Sequence, residues 1–216
     1  MDDTWSKRRQ YLAYACLSIA VVGLTAILAQ SSSTYYQRFY GGADPVLVAV
    51  GASLVGTFAL RVLMSWGGFE IVRGWATLRG MAVSAGLATL MGVAIIIADL
   101  FIRYPESLNV PVPEALLFYP TIGFVAEIVF HVLPLTILML VLSPLHRRLG
   151  ADRLVWLCIV IVAVSEPVFQ VAFEPDPFSW PTAYTGVHVF VFALLQLAVF
   201  RRYDFASMYS FRLFYY

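Results

Sequence analysis

The chain has 216 residues, 61% of them hydrophobic and 12% charged, with a formal net charge of +1. A soluble domain carries about 25% charged residues, and a water-soluble fold has no interior large enough for this much apolar surface. The composition therefore excludes a soluble globule, and the absence of a basic stripe points away from nucleic acid as a partner.

A helix that crosses the ~30 Å hydrocarbon core needs about 20 apolar residues. Runs of that kind occupy residues 11–30, 45–66, 81–102, 114–142, 154–173 and 184–200. They predict an all-α fold, a polytopic transmembrane helical bundle in which residues 1–216 form a single integral membrane domain. The first run follows Lys7, Arg8 and Arg9 and is longer than the apolar region of a signal peptide, and no small-x-small cleavage site follows it, so it is expected to be a retained span. The connections after the first, third and fifth spans, "QSSSTYYQRFYGGADP", "RYPESLNVPVP" and "FEPDPFSWP", carry turn signals, while Tyr35, Trp66, Tyr104 and Trp180 fall near span ends at headgroup level. The tail "RRYDFASMYSFRLFYY" turns from polar to aromatic and reads as an interfacial segment or the beginning of a further span.

Cations test this layout independently, because Lys and Arg collect in the cytoplasmic loops. Lys7, Arg8 and Arg9, then Arg73 and Arg79, then Arg147, Arg148 and Arg153, then Arg201 and Arg202 mark alternate connections, whereas the opposite loops hold only Arg38 and Arg103. The N-terminus is therefore expected in the cytoplasm, in a multi-pass protein of the cytoplasmic membrane of a prokaryote. Cys16 and Cys158 both fall inside spans, as small apolar filler.

An ionisable group at bilayer depth costs roughly 2.5–3.5 kcal/mol on insertion scales, so each requires a partner, a cavity or a function. Glu127 and His131 stand four residues apart on one face of the fourth span, and Glu166 lies in the fifth. His188 stands one turn into the sixth. Arg61 and Asp99 are near enough to span ends to reach water, and Glu114 and His146 lie at helix ends. If spans four and five are neighbours, Glu127, His131 and Glu166 converge, with His188 joining if span six folds back beside them. Carboxylates and an imidazole in that setting suit general acid–base catalysis. With His188 they could also ligate zinc or another divalent metal. The plain alternative is a protonated Glu bonded between helices, an interaction that averages about 0.6 kcal/mol. Pro134 and Pro167 are expected to bend their spans beside these residues and to open a pocket at depth.

From "AEIVFH" through "VAVSEPVFQ" to "FVFALLQLAVFRRYDFASMYSFRLFYY", the order of features resembles the CAAX protease and bacteriocin-processing (CPBP) family of intramembrane proteases. That family has Glu-Glu-x-x-x-Arg, Phe-x-x-x-His and His-x-x-x-Asn/Asp motifs on successive membrane helices. The resemblance covers roughly residues 114–216 and places Glu127 at the second Glu, His131 at the Arg position and Glu166 close to the second motif's His. Ala126 replaces the first Glu, the family's water-activating residue, and Val162 replaces the Phe; the last motif would begin after Tyr216. The resemblance implies hydrolysis of a membrane-embedded peptide or lipidated substrate, or a non-catalytic relative that binds one. Two other classes stay open: a proton- or cation-coupled transporter, although neither inverted repeats nor matching discontinuous helices are evident, and an accessory subunit of a larger membrane complex. His131 and His188 point to opposite leaflets, against a single bis-His haem.

Overall fold

The computed structural model describes residues 6–31, 34–102, 110–172 and 179–216. Residues 103–109 and 173–178, with Arg103, Tyr104 and the expected end of the fifth span, lie outside the described residues, as does the Arg38 side chain. Among the described residues all regular structure is helical. The elements are α1 (Lys7–Ser31), α2 (Thr34–Tyr40), α3 (Pro45–Trp66), α4 (Trp75–Asp99), α5 (Ala115–Ala126), a π-helical turn (Glu127–Val132), α6 (Leu133–Val141), a 3-10 turn (Ser143–Leu145), α7 (His146–Leu149), α8 (Ala151–Val162), α9 (Ser165–Ala172), α10 (Trp180–Arg202) and α11 (Phe205–Tyr215).

Among the described residues six stretches are long and apolar enough to cross a membrane: Lys7–Gln30, Pro45–Trp66, Trp75–Asp99, Ala115–Val141, Ala151–Ala172 and Trp180–Arg202. Several begin earlier than the apolar runs alone suggested, because the polar first turns are helical too. Local caps explain some of these starts. Asp44 Oδ1 accepts from Val46 N at 2.8 Å and Leu47 N at 2.9 Å, with Pro45 in the first turn of α3, and Ser179 Oγ accepts from Thr182 N at 3.3 Å ahead of α10.

The stretch after span one departs from the expected loop. Its aromatic residues recur at helical spacing, and α2 buries Tyr36, whose hydroxyl lies 2.8 Å from Thr121 Oγ1 of α5. Burial raises the pKa of the Tyr36 phenol, opposed by that hydrogen bond, so the group stays neutral.

Two irregularities sit in spans four and five. In the π-helical turn the N–H of Leu133 donates to Ile128 O, five residues back, just before Pro134. Pro134 lacks an N–H, which frees the carbonyl of Phe130, and Ser165 Oγ donates to that carbonyl at 2.8 Å. Span five breaks at Ala163–Val164, just ahead of Pro167, and resumes as α9. The two interruptions face each other, and the Ser165 hydrogen bond joins them.

The tail folds as a helix packed into the bundle. Helix α11, about 16 Å long at 1.5 Å per residue, packs against α4, α5 and α10 and buries Phe205, Ser207, Met208, Tyr209, Ser210, Phe211 and Arg212. Its closest approach is to α4, where Gly80 faces Ser207 and Tyr203. A Cβ at Gly80 would fall 2.1 Å from Ser207 Oγ and 2.9 Å from Tyr203 Cβ. Small residues allow such helix contacts in membranes. Gly80→Ala is expected to destabilise the bundle by about 1–2 kcal/mol, overpacking outweighing the gain in helix propensity, read as a lower melting temperature in detergent.

Candidate functional site

Glu127 and His131 project from the π-helical turn and are fully buried, and Glu166 from the first turn of α9 is 5% exposed. His131 Nδ1 lies 2.8 Å from Glu127 Oε2, and His131 Nε2 lies 3.6 Å from Glu166 Oε2. The imidazole thus stands between two carboxylates, hydrogen-bonded to one and just beyond reach of the other. Its Nε2 has no hydrogen-bond partner among the described residues. The expected convergence of these three residues is what the helices produce.

Arg212 of α11 completes the cluster. Its Nε donates to Glu127 Oε1 at 2.5 Å, while Nη1 and Nη2 donate to the two oxygens of Glu166 at 3.0 and 2.7 Å. Gln196 of α10 donates to Glu127 Oε1 and accepts from Arg212 Nη2 at 3.1 Å. Tyr216 Oη lies 3.1 Å from Arg212 Nη1, and the guanidinium lies over the Phe192 ring at 5.4 Å. Two carboxylates thus face one guanidinium, with the imidazole of His131 between them.

The metal reading of Glu127, His131, Glu166 and His188 asks for a set of ligands grouped around one point. Among the described residues no three His, Cys, Asp or Glu side chains are grouped to hold a metal ion. The cation between the carboxylates is the Arg212 guanidinium, which donates to both.

A cavity of about 240 Å³ opens beside the cluster, lined by Glu166, Gln170, Thr185, His188, Arg212 and Tyr216. Of the three candidate catalytic residues only Glu166 reaches it; Glu127 and His131 are sealed behind. Gln170 Nε2 lies 3.5 Å from Glu166 Oε1. His188 lines the cavity but belongs to a separate aromatic group, with Nε2 3.0 Å from Tyr215 Oη and its ring stacked on Tyr184 at 5.8 Å.

Sequence reasoning passed over Arg212 and Gln196. A signal for each was present. Two acids at depth require a cation, and Arg212 is the one in the apolar part of the tail, while Gln196 interrupts the run "ALLQLAVF".

Helices of this length and apolarity, enclosing an ionic cluster, define an integral multi-pass membrane protein of the helical-bundle class. No protein-family model, curated protein or solved structure matches the chain.

Proposed function

We propose that the protein is an intramembrane hydrolase resembling the CPBP proteases, acting in the cytoplasmic membrane of a prokaryote, with Glu166 as its base. The observation that carries this reading is the position of Glu166, the one carboxylate of the cluster that lines the cavity at depth. Each oxygen of Glu166 accepts from Arg212, and a carboxylate oxygen has a further lone pair to offer a water. That water's oxygen attacks the carbonyl carbon of a peptide bond, Glu166 takes the proton, and the proton passes to the amine nitrogen as the C–N bond breaks. Arg212 places positive charge beside the developing oxyanion. Glu127, itself held by His131, acts from behind by orienting Arg212. The substrate class is a membrane-embedded or lipidated peptide. Ala126 makes no contribution as a base, so the role falls to Glu166.

Glu166→Gln is expected to lower cleavage of a quenched-fluorescent, membrane-anchored peptide in proteoliposomes by about 10²–10⁴-fold. The variant keeps the side-chain volume, and Arg212 keeps Glu127 as its counterion, so the melting temperature shows whether the fold survives. Unchanged cleavage in a folded Glu166→Gln protein overturns the assignment.

The engagement of both Glu166 oxygens by Arg212 favours a second reading, a non-catalytic relative that binds the same peptide class. Retention of the peptide by wild-type protein without turnover selects it.

A further inference from the structure

A second cavity, of about 670 Å³, lies at the cation-rich end of the bundle, away from the carboxylate cluster. It is lined by Arg73 from the connection between α3 and α4, by Arg201 and Arg202 at the end of α10, by Asp152 and Trp156 of α8, and by Ala198 and Gly68. Its volume falls in the range of small-ligand sites, roughly 300–1,000 Å³. Three arginines face one aspartate.

Two of the arginines are held in place. Arg201 Nη2 donates to Asp152 Oδ1 at 2.8 Å and Nη1 to Gly67 O at 3.3 Å, and its guanidinium lies 5.4 Å from the centre of the Phe69 ring. Gly68, at φ +74°, allows this approach, since a Cβ there would fall 1.4 Å from Arg201 Nη1. Arg73 Nη2 donates to Gly68 O at 3.0 Å and Nη1 to Arg202 O at 3.4 Å, while its Nε lies 3.4 Å from Glu70 Oε1. Arg202 is exposed and makes no ion pair among the described residues. The cavity therefore has a braced cationic rim with an unpaired guanidinium on it.

The same two helices continue the lining with apolar residues one turn farther from their ends: Trp156, 46% exposed, on α8 and Ala198 on α10, both within spans five and six. A free anion uses only the rim, whereas a ligand with a charged head and an apolar body uses both. We propose that this cavity binds an anionic phospholipid, its phosphate between Arg73, Arg201 and Arg202 and its acyl chains along Trp156 and Ala198.

The test uses the full chain, purified in detergent, delipidated and offered equimolar phosphatidylglycerol and phosphatidylcholine, with bound lipid counted by native mass spectrometry. Wild-type protein retains phosphatidylglycerol in preference, and Arg202→Gln reduces that preference about fivefold, the effect of one arginine near a membrane surface. The double variant Arg147→Gln, Arg148→Gln, on the same side but outside the cavity, keeps the wild-type preference. Melting in phosphatidylcholine establishes that the variants fold. Equal retention of the two lipids, a preference unaffected by Arg202→Gln, or an equal loss in the Arg147/Arg148 variant overturns the proposal. Inorganic phosphate that stabilises lipid-free protein as strongly as phosphatidylglycerol does also overturns it, in favour of a free-anion site.

Discussion

Arg212→Met will destabilise the bundle by on the order of 3–5 kcal/mol, the cost of leaving a buried charge without its partner. The side chain is 2% exposed and donates to both Glu127 and Glu166, so its loss strands two carboxylates rather than one. Ordinary interhelical hydrogen bonds in membranes average about 0.6 kcal/mol, which makes the two accounts of the cluster easy to separate by melting or SDS titration. A loss near that smaller value would mean the acids are neutral and the cluster is held by dipoles alone. Adding Glu127→Gln and Glu166→Gln to Arg212→Met should restore much of the lost stability, because the stranded charges are then gone. A triple variant no more stable than Arg212→Met would point to lost packing of the guanidinium over Phe192 instead.

Asp204→Ala has the next largest expected effect, about 2–4 kcal/mol. Asp204 is fully buried and caps α11, accepting from Ser207 N at 2.8 Å and Ser207 Oγ at 2.7 Å. Its other oxygen accepts from Thr77 Oγ1 at 2.5 Å and from Arg73 N at 3.0 Å, which ties the start of α11 to α4 and its preceding loop. A helix cap alone is worth up to about 2 kcal/mol, and buried hydrogen bonds to a charged group about 1.5–3 kcal/mol each. Asp204→Asn should recover part of the loss, since its amide oxygen still accepts from Ser207 N while its NH2 cannot accept from Arg73 N. Loosening α11 also moves Arg212, so Asp204→Ala should lower both the melting temperature and any cleavage activity. A variant that loses activity at unchanged stability would break that link.

The spans were legible because hydropathy and the alternation of cationic loops report on the same physical constraint, the cost of charge in hydrocarbon. Glu127, His131 and Glu166 were legible for the same reason. Arg212 was not, because a lone cation among Tyr and Phe near a chain end is what an interfacial anchor also looks like. What distinguishes the two is burial of α11 on nearly every side, which depends on small residues of α4 such as Gly80 and Ser84 accepting it. Such pairing across more than a hundred residues leaves no local trace. The helical α2 was missed because the serine run ahead of Thr34 and the Gly-Gly pair after Tyr40 suggested a loop, while its aromatic spacing suggested a helix. The π-helical turn has no sequence signature beyond Pro134, whose freed carbonyl finds Ser165 only in three dimensions.

The position of Arg212 along the chain also sets an order of events during synthesis. Glu127 precedes its guanidinium partner by 85 residues and Glu166 by 46. Both acids therefore enter the bilayer before the guanidinium that pairs them exists, Glu127 with only the imidazole of His131 beside it, at a cost on the order of 2.5–3.5 kcal/mol for an unpaired carboxylate. A nascent chain of five or six spans is an unfinished protein with two acids waiting. The arrival of α11 supplies that counterion, so a helix made after both acids works as the ion-pair keystone that turns a set of inserted spans into a folded one.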